Sequence, residues 1–133
     1  MKKPEKFEME RFLVALSDKT RLRLLNLIGE DEVCVCFFVE ILGELQPKIS
    51  RHLAYLRRAG VVSARREGKW IHYRITQPTD PHAKNILAGV LAWLKDDKEM
   101  QRDRARLLKV CCAPSLPVQL RSAPKPASIE ALI

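Results

Sequence analysis

The feature that most limits how this chain can fold is a change of hydrophobic period at Gly60. Before it, Ile49, Leu53 and Leu56 recur at the spacing that places apolar side chains on one face of a helix. After it, the segment 61–75 has two short β-type runs on either side of Glu67-Gly68, which predicts two strands joined by a tight turn. A helix must therefore lead directly into a β-hairpin.

Further helices are predicted on both sides of this unit. Apolar residues recur at helical spacing in four other segments, and most of these segments have a start or stop signal at their ends. The first is 5–16. The second begins at a cap formed by Ser17 or Asp18 and ends at Gly29, the third is 33–42, and the fourth runs from about His82 to Arg106. The fold class expected is mainly α with a small β-hairpin (α+β). The helix over 33–42, the turn after it and the helix from Gln46 form a helix-turn-helix, and the hairpin forms its wing.

Proline content divides the chain into a domain and a tail. Four of the eight prolines fall after residue 113, among Ala and Ser residues, which predicts a flexible segment. We therefore expect one domain over 1–112, which includes all four cysteines, and a tail over 113–133.

The positive charge is concentrated in the helix and hairpin around Gly60. The whole chain has a formal net charge of +8, and the segment 46–75 holds eight basic residues against the single acidic Glu67. A charge run is most often a solvated face, but one this concentrated favours nucleic acid as the partner.

Residues at the start of a recognition helix meet base edges in the major groove, and basic residues farther along meet phosphates. Gln, Arg and Ser side chains all pair with bases. We expect contacts with double-stranded DNA from Gln46, Lys48, Ser50, Arg51, His52, Arg57 and Arg58 of the helix and from Arg65, Arg66 and Lys69 of the wing.

Several classes of function and location are not favoured. The chain has no apolar run long enough to cross a membrane, and its start lacks the apolar core of a signal peptide. The protein is therefore expected in the cytoplasm, where thiols stay reduced. There is no C-x-x-C, no phosphate-binding Gly-rich loop and no paired acid and base, so an enzyme is not expected.

Three motifs together resemble one known family. "DKTRLRLL", "QPKISRHLAYLRRAGVV" and "REGKWIHYRI" are similar to the core of the ArsR/SmtB family of metal-responsive repressors, in particular its arsenic-responsive branch. The similarity covers about residues 7 to 100. It implies a winged helix-turn-helix homodimer, paired through the first and last helices. Such a dimer is expected to bind palindromic operator DNA and to leave it when a metal or metalloid binds.

The resemblance also gives the cysteines a role. The arsenic branch carries C-x-C at the start of the third helix and a further cysteine three residues on; here Cys34 and Cys36 match, and Val39 occupies the third position. No permanent cofactor is expected. Trivalent arsenic or antimony, as effector, takes three thiolates by implication of the family, so the third would come from Cys111 or Cys112.

Helix geometry restricts how the first two cysteines can act together. Residues i and i+2 of a regular helix point about 200° apart. We therefore expect both sulfurs to reach one ion only at a frayed first turn, so that binding bends the helix before the recognition helix.

Two alternatives to arsenic sensing use the same fold. One is cadmium or lead sensing. The other is a redox switch in which Cys34 or Cys36 forms a disulfide with Cys111 or Cys112.

Overall fold

Helices surround a three-stranded antiparallel sheet whose two long strands form the predicted hairpin. The computed structural model describes residues 6–111, 120 and 122–130. Its elements, in chain order, are α1 (Met9–Leu16), α2 (Lys19–Ile28), β1 (Val33–Cys34), α3 (Val35–Leu42), α4 (Gln46–Arg58), β2 (Val62–Glu67), β3 (Trp70–Ile75), α5 (Pro81–Asp96), α6 (Lys98–Cys111) and α7 (Ala127–Glu130). The predicted winged helix-turn-helix is confirmed.

The sheet contains one strand that the sequence did not predict. Strand β1 pairs with β3, which places Val33 opposite Tyr73 and Cys34 opposite His72. The predicted helix over 33–42 therefore begins two residues late, at Val35. A short apolar run has no period that separates a strand from a helix, so only the pairing with β3 reveals the difference.

The helix-turn-helix is fixed by packing beneath α4. Ile49, Leu53 and Leu56 are fully buried, as predicted, and Phe37 and Phe38 of α3 lie in the same core. Gly43 ends α3 with a left-handed backbone (φ 65°), which glycine adopts without steric cost. This turn sets the direction in which the exposed face of α4 points.

The long last helix of the prediction is two helices. Asp97 has an extended backbone, and its carboxylate accepts a hydrogen bond from the Met100 amide at 3.1 Å, so it caps the start of α6. The chain then turns so that α6 packs against α2 and α3. Asp103 receives two hydrogen bonds from Arg23, at 2.7 and 2.9 Å. The single helix to Arg106 was wrong because an Asp-Asp-Lys sequence permits a cap as readily as a continuous helix.

The apolar residues of α5 between 86 and 94 have a buried and an exposed part. Leu87 and Leu94 lie in the core, whereas the side chains of Ile86 and Trp93 remain 36% and 55% exposed. None of the described helices is long and apolar enough to cross a membrane.

The described part of the C-terminal segment contacts the domain. Leu120 and Ile129 are buried, and the amide and hydroxyl of Ser128 donate to the carboxylate of Asp31. The predicted boundary between domain and tail, after residue 112, lies outside the described residues.

Candidate DNA-binding surface and thiol site

The first two turns of α4 present polar and basic side chains to solvent. Gln46, Lys48, Ser50 and Arg51 are all exposed, as expected for residues that reach base edges. The ammonium of Lys48 lies 3.1 Å from the carboxylate of Glu44, one helical turn earlier. This exposed pair holds Lys48 only weakly, because surface ion pairs contribute little in water.

His52 has a different environment from its neighbours on α4. Its side chain is only 18% exposed, and Nδ1 lies 3.3 Å from the Arg21 guanidinium and 3.7 Å from the Asp18 carboxylate. Arg21 also donates to the Ala15 carbonyl at 2.8 Å. His52 therefore joins α4 to α2, a position from which it orients the recognition helix.

The far end of α4 carries the two arginines predicted to meet phosphates. Arg57 and Arg58 are exposed. The guanidinium of Arg58 lies 5.9 Å from the centre of the Tyr55 ring, and that of Arg21 lies 4.5 Å from it. Tyr55 thus organises two cations on one side of the helix.

In the wing, the three predicted basic residues differ in how free their charges are. Arg65 donates to Glu32 at 2.9 Å and to Glu67 at 3.1 Å, and its hydrogen bonds hold the pKa of Glu32 below the usual value. Lys69, by contrast, lies at the tip with its ammonium 4.8 Å from the Trp70 ring. Arg66 donates to the Gly68 carbonyl at 3.2 Å and is also exposed. The tip residues are therefore the more available to a phosphate.

Two sulfurs come together at the start of α3. Cys34 is the N-cap residue, with an extended backbone, and Cys36 lies in the first helical turn. The thiol of Cys36 donates to the sulfur of Cys34 at 3.1 Å. The two sulfurs lie this close without a bend in α3, because Cys34 lies just before the helix and does not follow its rotation of about 100° per residue; whether effector binding bends the helix stays a prediction.

The environment of the pair favours one thiolate. The hydrogen bond from Cys36, together with backbone amides of Cys36, Ile71 and Val35, lowers the pKa of Cys34 to about 7 despite its burial. The pKa of Cys36 is raised, because its proton is held by Cys34 and because burial disfavours a second anion. A thiolate at a helix N-terminus beside a thiol is a strong, soft donor pair.

The structure describes only one of the other two predicted thiol ligands. Cys111 is fully buried at the end of α6, and Cys112 lies outside the described residues. Among the side chains that the structure describes, no three from His, Cys, Asp and Glu are grouped closely enough to hold one ion. Within the described part of the chain, Cys34 and Cys36 therefore supply two sulfurs of a site.

The thiol pair is built into the same sheet as the wing, which sequence reasoning missed. The Ile71 amide of β3 stabilises the Cys34 thiolate, and Cys34 lies opposite His72 in the strand pairing. Two residues earlier, Glu32 holds Arg65 of the wing. No local pattern could indicate this link, since β1 is only two residues long.

The chain is similar in sequence to known bacterial regulatory proteins. The family described as "Bacterial regulatory protein, arsR family" matches residues 18–64. The arsenical resistance operon repressor of Escherichia coli is 39% identical over 101 residues, which cover 74% of this chain and 83% of that protein. The arsenic resistance transcriptional regulator ArsR1 of Pseudomonas putida is 44% identical over 87 residues, or 62% of this chain and 68% of that protein.

A solved structure supports the fold independently. The homodimeric winged helix-turn-helix DNA-binding domain of Mb0332 from Mycobacterium bovis aligns with a TM-score of 0.54 at 28% identity. The alignment covers 68% of this chain and 81% of that one.

Proposed function

This chain belongs to the arsR family of bacterial regulatory proteins, and from that premise we propose that it represses transcription until trivalent arsenic or antimony releases it from DNA. It is an ArsR-type metal-responsive transcriptional repressor and not an enzyme. The proposal adds the identity of the effector, the thiols that bind it and the homodimer that binds a palindromic operator in the cytoplasm.

The observation that carries the proposal is the pair of sulfurs 3.1 Å apart at the start of α3. Arsenite is As(OH)₃ at neutral pH. Two S–As bonds form as two As–O bonds break, and each hydroxide leaves as water with one proton, taken from a thiol or, where Cys34 is ionised, from solvent. Arsenic keeps its oxidation state, so no oxidant is needed. Cys111 and Cys112 are the remaining sulfurs available to replace the third hydroxide.

Exposed apolar side chains support the proposed homodimer. On α1, Leu13 and Val14 are 45% and 47% exposed, and on α5 Trp93 is 55% exposed. Apolar residues on the first helix and on the helix after the wing fit a dimer interface formed by those two helices. Two recognition helices related by a two-fold axis then match a palindrome.

Release follows if arsenic and DNA favour different arrangements of α3 and β1. Replacing a hydrogen bond between Cys34 and Cys36 by two bonds to one arsenic changes the separation of the sulfurs. That shift reaches DNA-binding residues along two routes: from α3 to α4, and from β1 to the wing through β3. Any arsenic affinity lost on binding DNA is matched by an equal loss of DNA affinity on binding arsenic.

A thiol-redox switch is a second candidate function, favoured by the lowered pKa of Cys34. With a pKa of about 7, this thiol is ionised in a substantial fraction of molecules near neutral pH, and a thiolate is the form of sulfur that attacks peroxide. The resulting sulfenic acid would condense with another cysteine and release water. Cadmium or lead sensing needs the same sulfurs and would give intense thiolate charge-transfer absorption.

The test is an arsenite titration of the protein on a duplex that it selects from a random library. We expect arsenite to release the wild-type protein. Cys34→Ser and Cys36→Ser should bind the duplex with unchanged affinity and stay bound at every arsenite concentration. Cys111→Ser and Cys112→Ser are the matched variants, and whichever loses release identifies the third sulfur.

Three outcomes would contradict the proposal. Reduced wild-type protein that ignores arsenite refutes the effector. Loss of DNA binding in Cys34→Ser refutes a sensing role for that thiol. Release by peroxide but not by arsenite replaces metalloid sensing with redox sensing.

A further inference from the structure

Leu45, the residue just before α4, is unusually exposed. Its side chain is 78% accessible, the highest value among the large apolar residues that the structure describes. Leaving a leucine in water forgoes the stabilisation that its burial would give. The exposed leucine lies beside polar and basic side chains at the start of α4, the end of a recognition helix that meets base edges.

The local structure of the fold gives no reason for leucine at this position. Leu45 is the N-cap residue of α4, and its side chain makes no capping hydrogen bond. Ser, Thr, Asn and Asp stabilise a helix at this position and leucine does not. Asp18, Asp80 and Asp97 each accept a hydrogen bond from the first turn of the helix that follows, whereas the polar Glu8 and the buried Cys34, like Leu45, make no capping hydrogen bond. Among the helices whose N-cap residue is described, α4 alone has a bulky and exposed apolar residue at that position. This residue adjoins the side chains that are predicted to contact DNA.

The position of Leu45 identifies the chemistry of the missing partner. It immediately precedes the exposed residues Gln46, Lys48 and Arg51 on the end of the recognition helix. Residues at that end reach the floor of the major groove, where the C5-methyl group of thymine is the apolar feature. We propose that Leu45 packs against a thymine methyl group in each operator half-site and so specifies thymine there.

This inference rests on the proposed DNA-binding function and adds a specificity residue to it. The hydrogen-bonding side chains of α4 read the polar edges of the bases. Leu45 discriminates thymine from the other bases by an apolar contact. Its capping role is given up for this contact.

The experiment replaces thymine by deoxyuridine, which lacks only the C5-methyl group. Starting from the duplex selected by the protein, each symmetric pair of thymines is replaced in turn and the Kd is measured. Burial of one methyl group corresponds to roughly fourfold in affinity, so one pair should weaken binding by about fifteenfold. Leu45→Ser should bind more weakly and lose sensitivity at that pair alone, whereas Leu45→Met should keep it.

Leu108→Ser is the matched control, since Leu108 is also an exposed leucine, 40% accessible, on α6. It should keep the thymine sensitivity of the wild-type protein. Thermal unfolding adds an independent readout: Leu45→Ser should raise Tm by a few degrees because serine caps the helix. A fall in Tm would mean that Leu45 supports the fold and would overturn the inference.

The failure of this inference is distinguishable from failure of the proposed function. If no duplex is selected, DNA binding itself is refuted. If a duplex is selected and no thymine pair is sensitive to deoxyuridine, or if Leu45→Ser retains that sensitivity, DNA binding stands and the role of Leu45 is refuted. A change in oligomeric state of Leu45→Ser, without any change in thymine sensitivity, assigns the residue to contact between protein copies and also overturns the inference.

Discussion

The ionised thiol of Cys34 should make the stability of this protein depend on pH in a way that one substitution removes. The native structure lowers the pKa of Cys34 from 9.0 to about 7, first through the hydrogen bond from Cys36 and then through backbone amides. Between pH 7 and 9 the unfolded chain therefore holds a proton that the native protein has already lost. Stability must rise with pH across this interval.

The size of the effect follows from the two pKa values. A group with a pKa of about 7 in the native state and 9.0 when unfolded contributes about 2 kcal/mol at pH 9 and close to nothing at pH 6. Above pH 9 the trend reverses, because the raised pKa of Cys36 keeps a proton on the native protein that the unfolded chain releases. The contribution of the pair should thus be greatest near pH 9.

Urea unfolding of the wild-type protein and of Cys34→Ser, in a phosphine reductant and without metal, measures this contribution. Apart from Cys36, whose pKa depends on Cys34, the other groups titrate in the same way in both proteins, so the difference between their free energies of unfolding reports the thiol pair. That difference should change by about 2 kcal/mol in favour of the wild type between pH 6 and 9. A difference that stays constant with pH would show that Cys34 is an ordinary thiol and would refute the electrostatic account of the site.

Three further predictions concern other parts of the structure. Arg23→Ala leaves the buried carboxylate of Asp103 without its two hydrogen bonds from Arg23. It should lower the free energy of unfolding, measured by urea titration, by about 3 kcal/mol. Replacing both Arg23 and Asp103 by apolar residues should lower it by less. Lys69→Ala should weaken binding to every DNA sequence and reduce the slope of log Kd against log salt by about one, as measured by fluorescence anisotropy. Glu32→Gln removes one of the two carboxylates that hold Arg65, so affinity for DNA should rise at low salt and the salt slope should become steeper; an unchanged slope would show that Glu32 does not restrain Arg65 from contacting DNA.

Local patterns in the sequence determined the DNA-binding half of this protein. The change of period at Gly60 gave the recognition helix and the wing, and the structure buries Ile49, Leu53 and Leu56 as expected. Helix α2 begins after Asp18 and ends at Gly29, as the sequence predicted. These features depend on residues a few positions apart, so their spacing alone is informative.

Contacts between residues distant in sequence determined the conformation at Cys34 and at Asp97, which the sequence alone did not predict. Pairing of Val33-Cys34 with β3 moved Cys34 out of the helix, which allowed its sulfur to meet Cys36 and lowered its pKa. Packing of α6 on α2, with Asp103 held by Arg23, selected a break at Asp97 over one continuous helix. In each case two local conformations are close in energy, and contacts between residues distant in sequence choose between them.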